Sequence, residues 1–177
     1  MSRRISLNAR LMQDAEASAE IQVVLIEISH PDLDAPVRLS TDNTERVSEP
    51  PDIAYGTRSS WRGANPVSEP WLWIIASTVL PGDQEDAPAA ATLVLENLDA
   101  SMVQLLRSFT EPPEVALAVV LASSPDEIEA EFDDLQIVSM DATAGEITLS
   151  ISRELIEDEP FPSGRMSYAR FPGLFAS

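Results

Sequence analysis

Few residues in this 177-residue chain have the type and spacing that chemistry requires. Its one histidine, His30, is the sole candidate base for a Ser–His–Asp arrangement. It stands between an apolar run and Pro31, with no nucleophile elbow around any serine. The chain has no Cys, which excludes thiolate nucleophiles, disulfides, Cys-bound zinc and thiolate-held iron–sulfur clusters. A dinucleotide fingerprint, a P-loop and an HExxH zinc motif are all missing from the sequence. Acids are plentiful and come in two groups. Asp83, Glu85 and Asp86 share one turn, and Asp126, Glu127, Glu129, Glu131, Asp133 and Asp134 crowd a second stretch. Oxygen-rich loops bind Ca²⁺, but the EF-hand spacing and its central glycine are absent. Such a run reads as a solvated face. No two of the 30 acids stand out as the paired carboxylates of a glycoside hydrolase. We therefore expect no catalytic residue, no metal and no cofactor, and a protein that is not an enzyme.

Charge narrows the partners. Eleven basic residues, all Arg, face 30 Asp and Glu, a net charge of −19. A nucleic-acid binder needs a basic footprint to release counterions from phosphate, and an anionic membrane surface also attracts basic segments. Neither partner suits this chain. No apolar run reaches the roughly 18 residues of a membrane-spanning helix. The N-terminal MSRR is not followed by the apolar stretch of a secretory signal, so we expect a protein used without secretion.

The elements that must position any site are mostly strands. Residues 6–17 read as a short helix capped by Ser6, with Leu7, Leu11 and Ala15 on one face. Ile21–Ser29 is rich in β-branched residues, and Ala35–Ser40 follows after a His-Pro-Asp turn, which makes a first hairpin. Residues 41–70 form a long polar loop containing Trp61, which leads into Trp71 and Trp73. Those tryptophans either seal the core edge or contact another protein. Ala91–Glu96, Glu114–Ala122, Leu135–Met140 and Glu146–Ser152 read as strands, the last with Ile147, Leu149 and Ile151 facing inward. Ser101–Phe109 has the periodicity and capping box of a second helix. The composite is one mainly β domain over 1–177, a β-sandwich or small barrel of six or seven strands. One or two short helices flank it, with an N-terminal helical arm (1–19), the long loop (41–70) and a C-terminal extended arm (157–177).

Several stretches carry a resemblance. Glu27-Ile28-Ser29-His30-Pro31-Asp32-Leu33, followed by Pro36-Val37-Arg38-Leu39, resembles the opening of a family of uncharacterised minor tail proteins of siphophages and prophages. Ala91–Asp99 and Val115–Pro125 are similar to that family's middle section. Glu159-Pro160-Phe161-Pro162, Arg165 and Arg170-Phe171-Pro172-Gly173-Leu174-Phe175 resemble its C-terminal signature, the most specific part. The likeness runs over about residues 20–175, with a departure at Arg58–Leu80, which is longer and richer in Trp.

The resemblance implies a structural component of a phage tail tip, a distal tail or hub ring between the tail tube and the receptor-binding parts. It implies a tail-tube-like β fold in a homo-oligomeric ring of three-fold or six-fold symmetry. The protein would be made in the host bacterial cytoplasm and retained in the virion, touching the tail tube and other tail-tip proteins. Some related hub proteins carry an iron–sulfur cluster, which a chain without Cys cannot hold by thiolates. Candidate interface residues are Trp61, Trp71, Trp73, Phe161, Arg165, Arg170, Phe171 and Phe175. DNA would pass the lumen without a binding site of its own. Two alternatives are an assembly factor absent from the virion and a tail-tip hydrolase.

Overall fold

The computed structural model describes residues 6–79, 90–96, 111–143, 146–153 and Arg170. Among these residues it is mainly β, a curled half-barrel sheet of ten strands with one short α-helix. The helix is α1 (Leu7–Asp14), and the strands in chain order are β1 (Gln22–Ser29), β2 (Val37–Ser40), β3 (Glu45–Arg46), β4 (Tyr55–Thr57) and β5 (Trp71–Trp73), then β6 (Ile75–Val79), β7 (Ala90–Glu96), β8 (Glu114–Leu121), β9 (Ser124–Ala142) and β10 (Glu146–Arg153). Their order across the sheet is β3-β4-β5-β2-β1-β8-β9-β10-β7-β6. Every pairing is antiparallel except β2 with β5.

The centre of the sheet is buried on both faces, which explains the unbroken apolar runs of β1 and β8. These strands pair over eight residues, from Gln22 opposite Leu121 to Ser29 opposite Glu114. Ile26, Ile28, Val115 and Leu117 turn to one face and join Leu93, Leu95, Leu135, Ile137, Ile147, Leu149 and Ile151 in the main core. Val23, Leu25, Ala116, Ala118 and Val120 turn to the opposite face and pack with Trp61, Ala64 and Trp71. Side chains alternate along a strand, so one eight-residue run supplies both cores. The alanines of β8 leave room for two indole rings.

The 19-residue β9 contains the expected strand Leu135–Met140 and extends back through the acidic run to Ser124. β8 ends at Leu121, a two-residue turn at Ala122 and Ser123 follows, and the acids of 126–134 all lie within the next strand. Irregular pairing bends it. Asp133 and Asp134 together oppose Ala116, because Val115 pairs with Leu135 and Leu117 with Phe132. Asp134 takes a left-handed conformation there (φ 59°). Such a bulge inserts one residue and changes the parity of the rest of the strand. It lets Phe132 and Leu135, three residues apart, both reach the main core. Further register shifts in β9 lie opposite Val119, Val120 and Leu121 of β8 and, on its other side, between the partners of Ser150 and Ile151 of β10.

The ten strands exceed the expected six or seven because short strands arise inside polar sequence. Residues 41–70 hold β3, β4 and a single 3-10 turn at Trp61–Gly63, so this stretch is partly sheet rather than one loop. Ser6 caps α1 as expected, its hydroxyl accepting from the Ala9 amide. The face of Leu7 and Leu11 is turned to solvent, at 72% and 61% exposed, and Ala9 is the buried residue. The expected helix at 101–109 and most of the C-terminal arm lie outside the described residues.

Candidate functional site

Glu27 is the acid that the fold cannot leave in water. It follows Val23 and Leu25 at alternate positions of β1, on the face covered by the tryptophans, and it is buried. An unpaired carboxylate there would cost several kcal/mol, so the surroundings must supply charge. Two arginines do. Arg38, opposite Glu27 on the neighbouring β2, donates from Nε to Oε2 at 3.0 Å. Arg62 donates from Nε to Oε1 at 2.6 Å. Both carboxylate oxygens are engaged, one guanidinium each.

Each arginine extends the network. Arg38 Nη1 donates to Glu69 at 2.7 Å, and its guanidinium lies 5.8 Å from the centre of the Trp71 ring. Arg62 Nη1 donates to Asp133 at 2.9 Å, and its guanidinium lies 5.9 Å from the Trp61 ring. The two indoles stack, with centroids 5.1 Å apart and planes inclined by 28°. Stacked rings under cations are a favourable arrangement, because the ring faces carry negative quadrupole charge. The indole N–H of Trp71 donates to the Ser59 carbonyl, and that of Trp61 to Glu131 at 2.7 Å. Arg62 itself sits at φ 52° and ψ 33°, a left-handed position unusual for a residue with a Cβ. Its ion pairs offset that strain.

Residues 58–70 thus form a strap across the second face of the sheet. Beyond Trp61 and Arg62, the strap is tied at Asp126. That carboxylate accepts from the Ser60 amide at 2.7 Å, the Ser60 hydroxyl at 2.9 Å and the Ser59 hydroxyl at 3.3 Å. Hydrogen bonding by the Ser60 amide, aided by both hydroxyls, holds Asp126 below the usual carboxylate range despite its partial burial. Glu69 is also held low, first by the Asn65 amide and then by Arg38. Burial works against the charge on Arg62, but Glu27, Asp133 and Glu131 overcome it and push its pKa up.

The acidic stretch is therefore not simply a solvated face. Glu129, Glu131 and Asp133, at alternate positions of β9, accept from the Ser6 amide, Trp61 and Arg62 respectively. Among the described residues, no group of three or more His, Asp or Glu side chains has the arrangement of a metal site.

Next to the Glu27 cluster lies an open cavity of about 500 Å³, lined by Glu27, Ser29, His30, Leu33, Arg38 and Arg62 among others. His30 is half-buried beside it, with Nδ1 accepting from the Asp32 amide at 3.1 Å. Glu27 has both oxygens committed to cations, so the cluster orders side chains rather than poising a base.

The interface candidates separate. Trp61 and Trp71 are 6% and 0% exposed, so they have almost no surface to offer another subunit and act within the chain. Trp73 is 39% exposed and available for contact. Arg170 is exposed. Phe161, Arg165, Phe171 and Phe175 lie outside the described residues. The residues that sequence reasoning assigned no role are Glu27, Arg38, Arg62 and Glu69. One signal was readable: an acid at the third alternate position of a doubly apolar strand demands a partner. Which partner was not readable, because Arg38 and Arg62 are 11 and 35 residues away in sequence.

No protein-family model matches this chain, and no curated protein matches it.

Proposed function

We propose that this chain is a structural subunit of a long-tailed phage tail tip, joining like subunits in a ring between the tail tube and the receptor-binding parts. The observation that carries this reading is the open, curled sheet. Among the described residues it ends at β3 on one side and β6 on the other. A sheet that curls without closing has edges to offer, and edge backbone groups favour pairing with a neighbour. Exposed apolar side chains support the same use. Ile53, Tyr55, Leu72, Trp73 and Ile75 are all exposed, and all fall in or beside β4, β5 and β6. Solvent-facing aromatic and aliphatic residues suit a protein interface. The net charge of −19 would keep free subunits apart before assembly.

Native mass spectrometry of the full chain, with electron microscopy of phage particles from the strain that encodes it, tests this. The proposal expects the chain in purified particles as a three-fold or six-fold ring at the distal tail. Presence in infected cells but absence from particles would overturn it in favour of an assembly factor. Carbohydrate or cell-wall turnover lost on changing one carboxylate would overturn it in favour of a hydrolase.

A further inference from the structure

The strap over residues 58–70 differs from the rest of the fold in what holds it. The sheet is held by backbone ladders and the main apolar core, neither of which carries a titratable group. The strap's side-chain ties to the sheet end largely on carboxylates: Asp126 for Ser59 and Ser60, Glu131 for Trp61, and Glu27 and Asp133 for Arg62. Its far end is tied by its own Glu69 to Arg38 of β2. Under Trp61 and Ala64 lie Val23, Leu25, Ala116, Ala118 and Val120, an apolar face belonging to the two central strands.

We propose that this segment is an acid-released strap: protonation of its carboxylate anchors lifts Trp61 from the sheet and uncovers the apolar face of β1 and β8 while the main core stays folded. The groups that face the strap account for the direction. From the sheet these are Glu27 of β1, Arg38 of β2, Glu45 of β3, which pairs with Arg58 at 2.8 Å, and Asp126, Glu131 and Asp133 of β9. His30 lines the cavity beside Arg62. The strap contributes Arg58, Arg62 and Glu69. Acid neutralises the carboxylates and leaves the arginines charged. Asp126 and Glu69 have depressed pKa values when folded. Their contribution is therefore complete above the ordinary carboxylate range and is lost as pH falls through their depressed folded values. The inference does not depend on the tail-tip reading.

The test uses the full chain carrying Trp73→Phe, so that indole emission reports Trp61 and Trp71 alone. As pH is lowered, the emission maximum should move to longer wavelength before the far-UV β signal is lost. Asp126→Asn, Glu131→Gln and Asp133→Asn combined should show the long-wavelength emission already at pH 7, with the β signal retained. If that variant does not fold, hydrogen exchange on the unmodified chain decides. Protection of residues 58–70 should fall at a higher pH than protection of β1 and β8. Coincident loss of emission and β signal, a variant with unchanged emission at pH 7, or equal loss of protection would each overturn the proposal.

Discussion

Glu27 shows how one side chain organises a surface. Its carboxylate receives Arg38 from an adjacent strand and Arg62 from the strap, and each arginine then covers an indole. Removing the acid leaves two guanidinium groups without their shared counter-charge. Loss of one member of a buried pair costs about 3 kcal/mol or more. Both arginines retain a second carboxylate and some access to water, which places Glu27→Ala toward the lower end. We expect it to lower unfolding free energy by about 3 kcal/mol in urea titration. A change under about 0.5 kcal/mol, the level of an ordinary surface substitution, would mean that the cluster does not hold the strap.

Elements are positioned here by backbone details as much as by side chains. Gly56 in β4 lies against β5 so closely that an added Cβ would meet the Trp71 carbonyl oxygen at 1.8 Å. That contact is with backbone, so the two strands must separate. Gly56→Ala should cost about 3 kcal/mol, at the upper end of overpacking losses, read from the urea midpoint. The bulge of β9 is equally specific. Deleting Asp134 removes the extra residue opposite Ala116 and leaves Phe132 and Leu135 two residues apart, still opposite Leu117 and Val115 and still on the main-core face. What is lost is the local bend that the bulge gives the strand. We expect that deletion to keep cooperative unfolding with a lowered midpoint, whereas Asp134→Gly, which keeps the count and suits the positive φ, should leave the midpoint unchanged or raise it. Circular dichroism on heating distinguishes the two.

At the scale of the whole molecule, the dominant long-range force is self-repulsion. Nineteen net negative charges act on a fold whose described arginines are largely spent on local ion pairs. Salt shortens the reach of that repulsion from about 30 Å at 0.01 M to about 8 Å at 0.15 M, while partly buried pairs such as Arg38–Glu27 are screened less. The melting temperature should therefore rise with salt over that range, by about 3 °C, in a scanning fluorimetry series. A fall would mean that exposed ion pairs outweigh the net charge. The same charge balance makes assembly of like subunits easier at moderate salt, which belongs with the tail-tip proposal.

Much of the sheet was legible because strand signals are local. The alternation of Ile147, Leu149 and Ile151 and the apolar runs of β1 and β8 follow from side-chain burial alone, and Ser6 marks the start of α1 by its hydroxyl. Composition by itself also excludes thiolate chemistry and leaves no basic footprint for nucleic acid. The site was not legible, because its partners are far apart in sequence. Trp61 meets Glu131 across 70 residues and Arg62 meets Asp133 across 71. The acids of β9 look alike in sequence; only the pairing of β8 with β9, and the bulge within it, decides which of them face the strap. Burial of Trp61 and Trp71 is likewise a tertiary result: β-strand alternation creates a second apolar face on β1 and β8, and the tryptophans cover it.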